Sequence, residues 1–467
     1  GDGNLLLVSD AGGGNRSSAS SDEGGVGAPR SVPGSFDYHK PAFPLDWKHD
    51  GLSLSLACLG LIIAASGGIG GGGMLVPLFM LVLGFRPKHA IALSNFTILG
   101  GSIANTMLNA GKRHPELNRG LIDWDLIIIM EPLTIFGAVF GSLLSKVLPN
   151  IVLTVLLVLI LAYMGQRTLK KGVKMWTEES RALGLQSATE MMTTAVPVES
   201  EGGSPSARCV AVADHEADRA YVELQSDSET PARPKRSMKC KITALTVCFV
   251  GTCVLTVLKG GGHFVSPLGF DCGSMGYWLL YFGSMPWVLA FALYFRSILV
   301  VEFEEKVRCG HTFVKGEVQW DRDNTVKYPV YCAVAGLLAG LFGVGGGIVK
   351  GPLMLEMGIV PSVASASAAA MILYTSAAAS TSYMVFGLLH LQYGVLFFCL
   401  GVVCTTFGQI TVGQWVKKHK RQSPIVLSIG LVITLSALCV AANTLAMLLG
   451  PEAGELFRAH NVCNMEA

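Results

Sequence analysis

From residue 52 onward the chain alternates apolar runs with short polar intervals. Several runs exceed the ~18 residues that mark a bilayer-crossing helix. The pattern predicts spans at about 88–110, 121–144, 148–166, 242–258, 275–296, 363–386, 391–415 and 424–448. Two further apolar stretches, 52–84 and about 330–358, are interrupted by glycine. In the first, arms of about 15 and 12 residues flank the interruption, and at ~1.5 Å per residue neither crosses the ~30 Å hydrocarbon core. Each such element is either one broken span or a hairpin that re-enters.

The interruptions repeat one another. Gly68-Ile-Gly-Gly-Gly72 with Pro77 answers Gly343-Val-Gly-Gly-Gly347 with Pro352. Downstream, Gly84-Phe-Arg-Pro87-Lys-His-Ala90-Ile-Ala92 answers Gly358-Ile-Val-Pro361-Ser-Val-Ala364-Ser-Ala366. Two copies in the same order are an internal duplication. Glycine clusters weaken a helix by roughly 1 kcal/mol per residue against alanine. A membrane segment accepts such a break only where the freed backbone is buried in protein or lines a wet cavity. Paired breaks in two halves point to a transporter's binding site. Close helix packing through small residues is the competing explanation.

Polar segments divide the chain further. Residues 1–50, rich in Gly, Ser and Asp, predict a disordered N-terminal segment. Membrane repeat 1 covers 51–170, a disordered cytosolic loop 171–240, two extra spans 241–300, a polar loop 301–329, membrane repeat 2 330–448 and a tail 449–467. Basic clusters at Lys112-Arg113 with Arg119, Arg167 to Lys174, Arg233 to Lys241 and Lys417 to Arg421 set orientation, because cytoplasmic loops collect Lys and Arg. Placing all four in the cytosol runs 88–110 inward and its mate 363–386 outward, which inverts the halves. That arrangement closes if both broken elements are re-entrant, with both termini outside and eight full spans. Arg86 and Lys88 then lie outside.

At 51% hydrophobic and 15% charged, with mean hydropathy +0.50, the chain is too apolar for an ordinary soluble protein. The expected fold class is an all-α polytopic membrane protein of two inverted repeats, each with a glycine-broken element and three spans. Formal net charge is +2, which suggests no nucleic-acid partner. The twelve cysteines show no metal-ligand spacing and read as free thiols serving as small apolar residues, so no metal or other cofactor is expected. The chain begins at Gly1, which reads as a processed or partial chain, and no targeting segment is visible in it.

The same residues carry a resemblance. The chain resembles the sulfite exporter TauE/SafE family, most closely its eukaryotic members, over roughly 50–170 and 330–448. Besides the two glycine breaks, the resemblance rests on Gly84-Phe-Arg-Pro87-Lys, Arg113-His-Pro115, Leu121-Ile-Asp-Trp-Asp125 with Pro132, Gly351-Pro-Leu353, Glu356-Met-Gly358 and Pro361. It implies a transporter of small anions such as sulfite or sulfonates, often working as an exporter. Where bacterial relatives usually carry a Thr-Ser pair, this sequence has Ala92-Leu-Ser94 and Ala366-Ser-Ala368.

An anion needs donors that do not have to reorganise, and backbone N–H groups at a helix N-terminus supply them. Gly70, Gly71, Gly72, Gly345, Gly346 and Gly347 are the first candidates, since glycine permits close approach. Side-chain donors on the following spans are Ser94, Asn95 and Thr97 in the first half, and Ser365, Ser367, Tyr374 and Thr375 in the second. Helix-to-helix hydrogen bonding is the simpler explanation for any single one of them. Glu131, just before Pro132, is an intramembrane carboxylate and the candidate for proton coupling; a neutral carboxyl at a proline kink is its structural alternative. Lys350 either attracts the anion or snorkels, and Glu356 reads as near the interface. Arg86, Lys88 and His89 form a basic mouth that funnels anions or anchors lipid headgroups.

No nucleophile–base or metal constellation suggests an enzyme. The expected partners are a small anionic substrate and the lipid bilayer, with assembly into a homo-oligomer left open. The expected activity is alternating-access transport of a small oxyanion, with coupling to protons left open. A non-transporting adaptor acting through 171–240 and an anion channel are the alternatives.

Overall fold

The computed structural model describes residues 50–66, 72–114, 119–194, 238–261, 264–310, 318–419 and 423–449. Those residues form twelve helices: α1 (Asp50–Ser66), α2 (Gly72–Leu81), α3 (Pro87–Ala110), α4 (Trp124–Val147), α5 (Asn150–Thr194), α6 (Met238–Lys259), α7 (Met275–Arg308), α8 (Asn324–Phe342), α9 (Gly347–Glu356), α10 (Pro361–Val385), α11 (Leu391–His419) and α12 (Ser423–Leu449). Outside helices, the pairing among the described residues is one isolated bridge, Arg113 with Gly120. Eight helices are long and apolar enough to cross a bilayer. The chain is an all-α, multi-pass membrane protein.

Each predicted span has a helix, most with ends shifted by a few residues. The larger departures lie where charge predicts loop. α5 runs on to Thr194, past the expected boundary at 170. Its polar extension is held by the Lys174–Glu178 pair one turn apart, and Glu179 accepts from the backbone N–H and hydroxyl of Ser423 at the start of α12. α7 likewise continues through Glu302, Glu304 and Glu305 to Arg308, into the expected polar loop. α8 starts at Asn324 rather than 330 and, at 19 residues, is among the helices long enough to cross. Residues 1–49, 195–237 and 450–467, and with them most of the expected N-terminal segment, cytosolic loop and tail, lie outside the described residues.

The two halves, α1–α5 and α8–α12, are packed through each other. α4 lies along α8, α11 along α1 and α3, and α12 along α5. Exchanging the halves maps this pattern onto itself. The closest approaches use glycine. A Cβ on Gly137 or Gly141 of α4 would run into the carbonyls of Ala333 and Leu337, and one on Gly336 or Gly340 of α8 into those of Thr134 and Ala138. α4 and α8 therefore run parallel. Gly394 of α11 meets Phe96 of α3 and, further along both helices, Gly101 meets Thr405, so α3 and α11 are also parallel. α5 and α12 run antiparallel: Gly165 faces Thr434, Gly172 faces Leu427 and Glu179 reaches Ser423.

Both glycine-broken elements fold back. The Met74 side chain of α2 lies over Gly60 of α1. A Cβ on Gly346 would sit 3.8 Å from the Ala335 carbonyl of α8, too near for a continuing helix.

Candidate functional site

Gly343 ends α8 in the left-handed region at φ +67°, and Gly345 and Gly346 follow at +74° and +67°. Three such residues close together require glycine, because a Cβ strains this backbone. The chain turns and restarts as α9 at Gly347, where the first N–H groups of the new helix have no intrahelical acceptor. The first half comes to this turn. A Cβ on Gly72, the first residue of α2, would lie 2.5 Å from the Gly343 carbonyl oxygen and 2.6 Å from Val344 Cα. Ser94 of α3 donates to the same Gly343 oxygen at 2.9 Å. Gly72, Ser94, Gly345, Gly346 and Gly347 are thus brought to one place. Gly70 and Gly71 lie outside the described residues.

Beneath the turn lies an ion pair. Lys350 sits one turn into α9, its backbone N–H on the Gly346 oxygen, and its Cε lies 3.7 Å from where a Gly346 Cβ would be. Lys350 Nζ donates to Glu131 Oε2 of α4 at 2.8 Å and to Thr375 Oγ1 of α10 at 2.9 Å. Thr375 Oγ1 lies 2.5 Å from Glu131 Oε1 and 3.0 Å from its own helix's Met371 oxygen. Both charged side chains are 0% exposed. The trio lies at the seam between two buried apolar clusters. One holds Met130 and Met371; the other holds Ile135 and Ile372. Charges in so dry a place persist only as a well-bonded pair. Sequence reasoning marked Glu131, Lys350 and Thr375 separately and did not connect them.

The other candidates fall elsewhere. Thr97 bonds back to Leu93 within α3, and Asn95 to Ile91, leaving Asn95 Oδ1 buried with no partner among the described residues. Ser367 accepts from the Asp123 backbone N–H at 3.0 Å, near the start of α4, one end of the helix away from the turn. Ser365 is half-buried in the first turns of α10, and Tyr374 approaches Thr246 of α6 at 3.5 Å. Glu356 is exposed and pairs with Arg167 at 2.6 Å. Arg86 is half-buried at the start of α3, but Lys88 is 1% exposed and donates to the Lys146 carbonyl at 2.8 Å. Lys88 is therefore inside the protein rather than at an open mouth. Lys146 and Lys259, also buried, escaped the sequence reading because each ends an apolar run, where a lysine ordinarily snorkels.

Nine of the cysteines among the described residues are free. Cys272, in the loop between α6 and α7, is disulfide-bonded, against the expectation of free thiols throughout. Spacing along the sequence carries no information about which thiols meet.

Comparison with known proteins now decides the family. The model of the family described as Sulfite exporter TauE/SafE matches residues 52–276 and 249–440. The chain belongs to the sulfite exporter TauE/SafE family. Three relatives from Arabidopsis thaliana are similar over most of their length. Sulfite exporter TauE/SafE family protein 2 is 28% identical over 82% of this chain and 80% of its own. Family protein 1 is 27% identical over 82% and 80%, and family protein 5 is 28% identical over 83% and 81%. No solved structure matches the chain. In this TauE/SafE chain the matched stretches contain both glycine breaks, Glu131, Lys350 and Thr375, so the ion pair lies within the family's own region.

Proposed function

We propose that this TauE/SafE chain transports a small sulfur oxyanion, sulfite or a sulfonate, by alternating access coupled to protons. The observation that carries the reading is the Glu131–Lys350 pair, bridged by Thr375 and buried directly under the second glycine turn. Lys350 is a cation already beside a helix N-terminus, the two features an anion seeks. While Glu131 is ionised, its carboxylate occupies that cation. Protonation of Glu131 frees Lys350, and an anion can take the carboxylate's place, with Thr375 and the first N–H groups of α9 as further donors. One proton and one negative charge then move together. The family name and the relatives' names, which specify sulfite, support the substrate class.

Helix directions support an inverted repeat. α3 and α11 run parallel, and α11 follows α10 through a short turn, so α10 opposes its mate α3; α12 likewise opposes its mate α5. Such halves form a site between them that can face either side in turn.

The test is sulfite uptake into proteoliposomes with and without a pH gradient. Wild-type flux is expected to saturate and to respond to the gradient. Glu131→Gln, a permanently neutral partner, is expected to transport with the gradient response abolished, and Lys350→Met to lose flux by at least tenfold. Unchanged gradient dependence in Glu131→Gln overturns the coupling. Flux that never saturates favours a channel.

A further inference from the structure

A second group of donors lies at the other end of the helices. Lys259 closes α6 at 2% exposure, and its ammonium has no hydrogen-bond partner and no carboxylate among the described residues. It lies instead over ring faces, 4.3 Å from the centroid of Tyr281, 5.1 Å from Phe386 and 5.8 Å from Tyr277. Tyr277 and Tyr281 are one turn apart on α7, 0% and 2% exposed, and neither hydroxyl has a hydrogen-bond partner among the described residues. Lys146, at the end of α4, brings a second ammonium to the same Phe386 ring at 5.0 Å. Buried donors without acceptors are costly, and ring faces offset only part of the cost of a desolvated ammonium.

We propose that Lys259 and the hydroxyls of Tyr277 and Tyr281 bind a small oxyanion, forming an anion station separate from Lys350. Three unmet donors beside a second cation exclude a metal ion and an apolar ligand. They call for a ligand with several anionic oxygens, and a free oxyanion and the phosphate of a lipid share that chemistry. The station lies at the end of the molecule that bears the disulfide-bonded Cys272, and disulfides persist in oxidising compartments. Resting on the transport reading above, it is the outer stop for the anion that leaves Lys350.

The test is the thermal unfolding midpoint of the full chain in zwitterionic nanodiscs, titrated with sulfite. The background is Glu131→Gln with Lys350→Met, which removes the central pair. A saturable rise in midpoint is expected there, and adding Lys259→Met is expected to weaken apparent affinity roughly tenfold or more, the scale of one charge-assisted hydrogen bond. Tyr277→Phe with Tyr281→Phe in the same background keeps both rings, and the sulfite response is expected to weaken; an unchanged response removes the two hydroxyls from the station. No response in the neutral-pair background, or one indifferent to Lys259→Met, overturns the station and leaves the central site standing. A rise produced by phosphatidylglycerol alone, removed by Lys259→Met and unaccompanied by a sulfite response, assigns the donors to lipid phosphate and overturns the free-anion form. A Lys259-dependent sulfite response in a chain that shows no sulfite flux keeps the station and removes the transport reading.

Discussion

Removing either member of the Glu131–Lys350 pair leaves the other charged in a place from which water is excluded. Breaking a buried pair from one side typically costs 3–5 kcal/mol, whereas replacing both charges is often neutral. Lys350→Met alone is therefore expected to destabilise the protein by about 3–5 kcal/mol, and the double variant with Glu131→Gln to recover most of that. Denaturant unfolding in a mild detergent measures both; equal losses in the single and the double variant would mean the two residues are not coupled. Glu131 and Lys350 were each legible in the sequence as charges inside apolar runs. Their partnership was not, because the two are 219 positions apart and only the packing of α4 against the second broken element brings them together. Lys259 was illegible for a related reason. A lysine ending a span looks the same in sequence whether its ammonium reaches water or turns back over Tyr281.

At the scale of elements, the apolar runs and glycine breaks were readable because length and composition alone decide a membrane helix. The ends of α5 and α7 were not, since charged extensions such as Glu302–Arg308 carry helix-forming residues but no apolar pattern. Nor was the partner of each helix readable. Gly137 and Gly141, and Gly336 and Gly340, have the four-residue spacing of close helix contacts, yet spacing alone does not say that they face one another. Gly340→Ala would push a methyl into the Ala138 carbonyl, at a residue whose own carbonyl oxygen accepts from the Tyr383 hydroxyl. Its expected cost is about 1–3 kcal/mol. Gly283→Ala in α7 meets nothing within 4 Å and is expected to be neutral or to stabilise by up to about 1 kcal/mol. A thermal melt of the two variants side by side checks the contrast; similar behaviour would remove the close contact of α4 with α8.

At the scale of the whole molecule, orientation follows from charge and chemistry together. Arg167, Lys241 and Arg119 lie at one end, paired with Glu356, Asp125 and Asp123. Lys146, Lys259 and the disulfide-bonded Cys272 lie at the other. An impermeant maleimide added to sealed cells is expected to label a Val265→Cys variant, at a position 83% exposed, and to spare Cys240 and Cys309 until the membrane is opened. The reverse pattern inverts the topology. The glycine-lined contacts lie between the halves, so a movement that keeps them carries α8 with α4, and α3 with α11. The moving bodies are then built from both halves of the chain, and the Glu131–Lys350 pair lies between α4 and α9. The same interlocking bears on how the protein is made. α1 finds its partner in α11, more than three hundred residues later in the chain. At typical elongation rates it must wait on the order of tens of seconds, inserted but unpaired, before that partner leaves the ribosome. A chain built this way completes its first half only when its last third arrives, and is open to quality control for the whole interval.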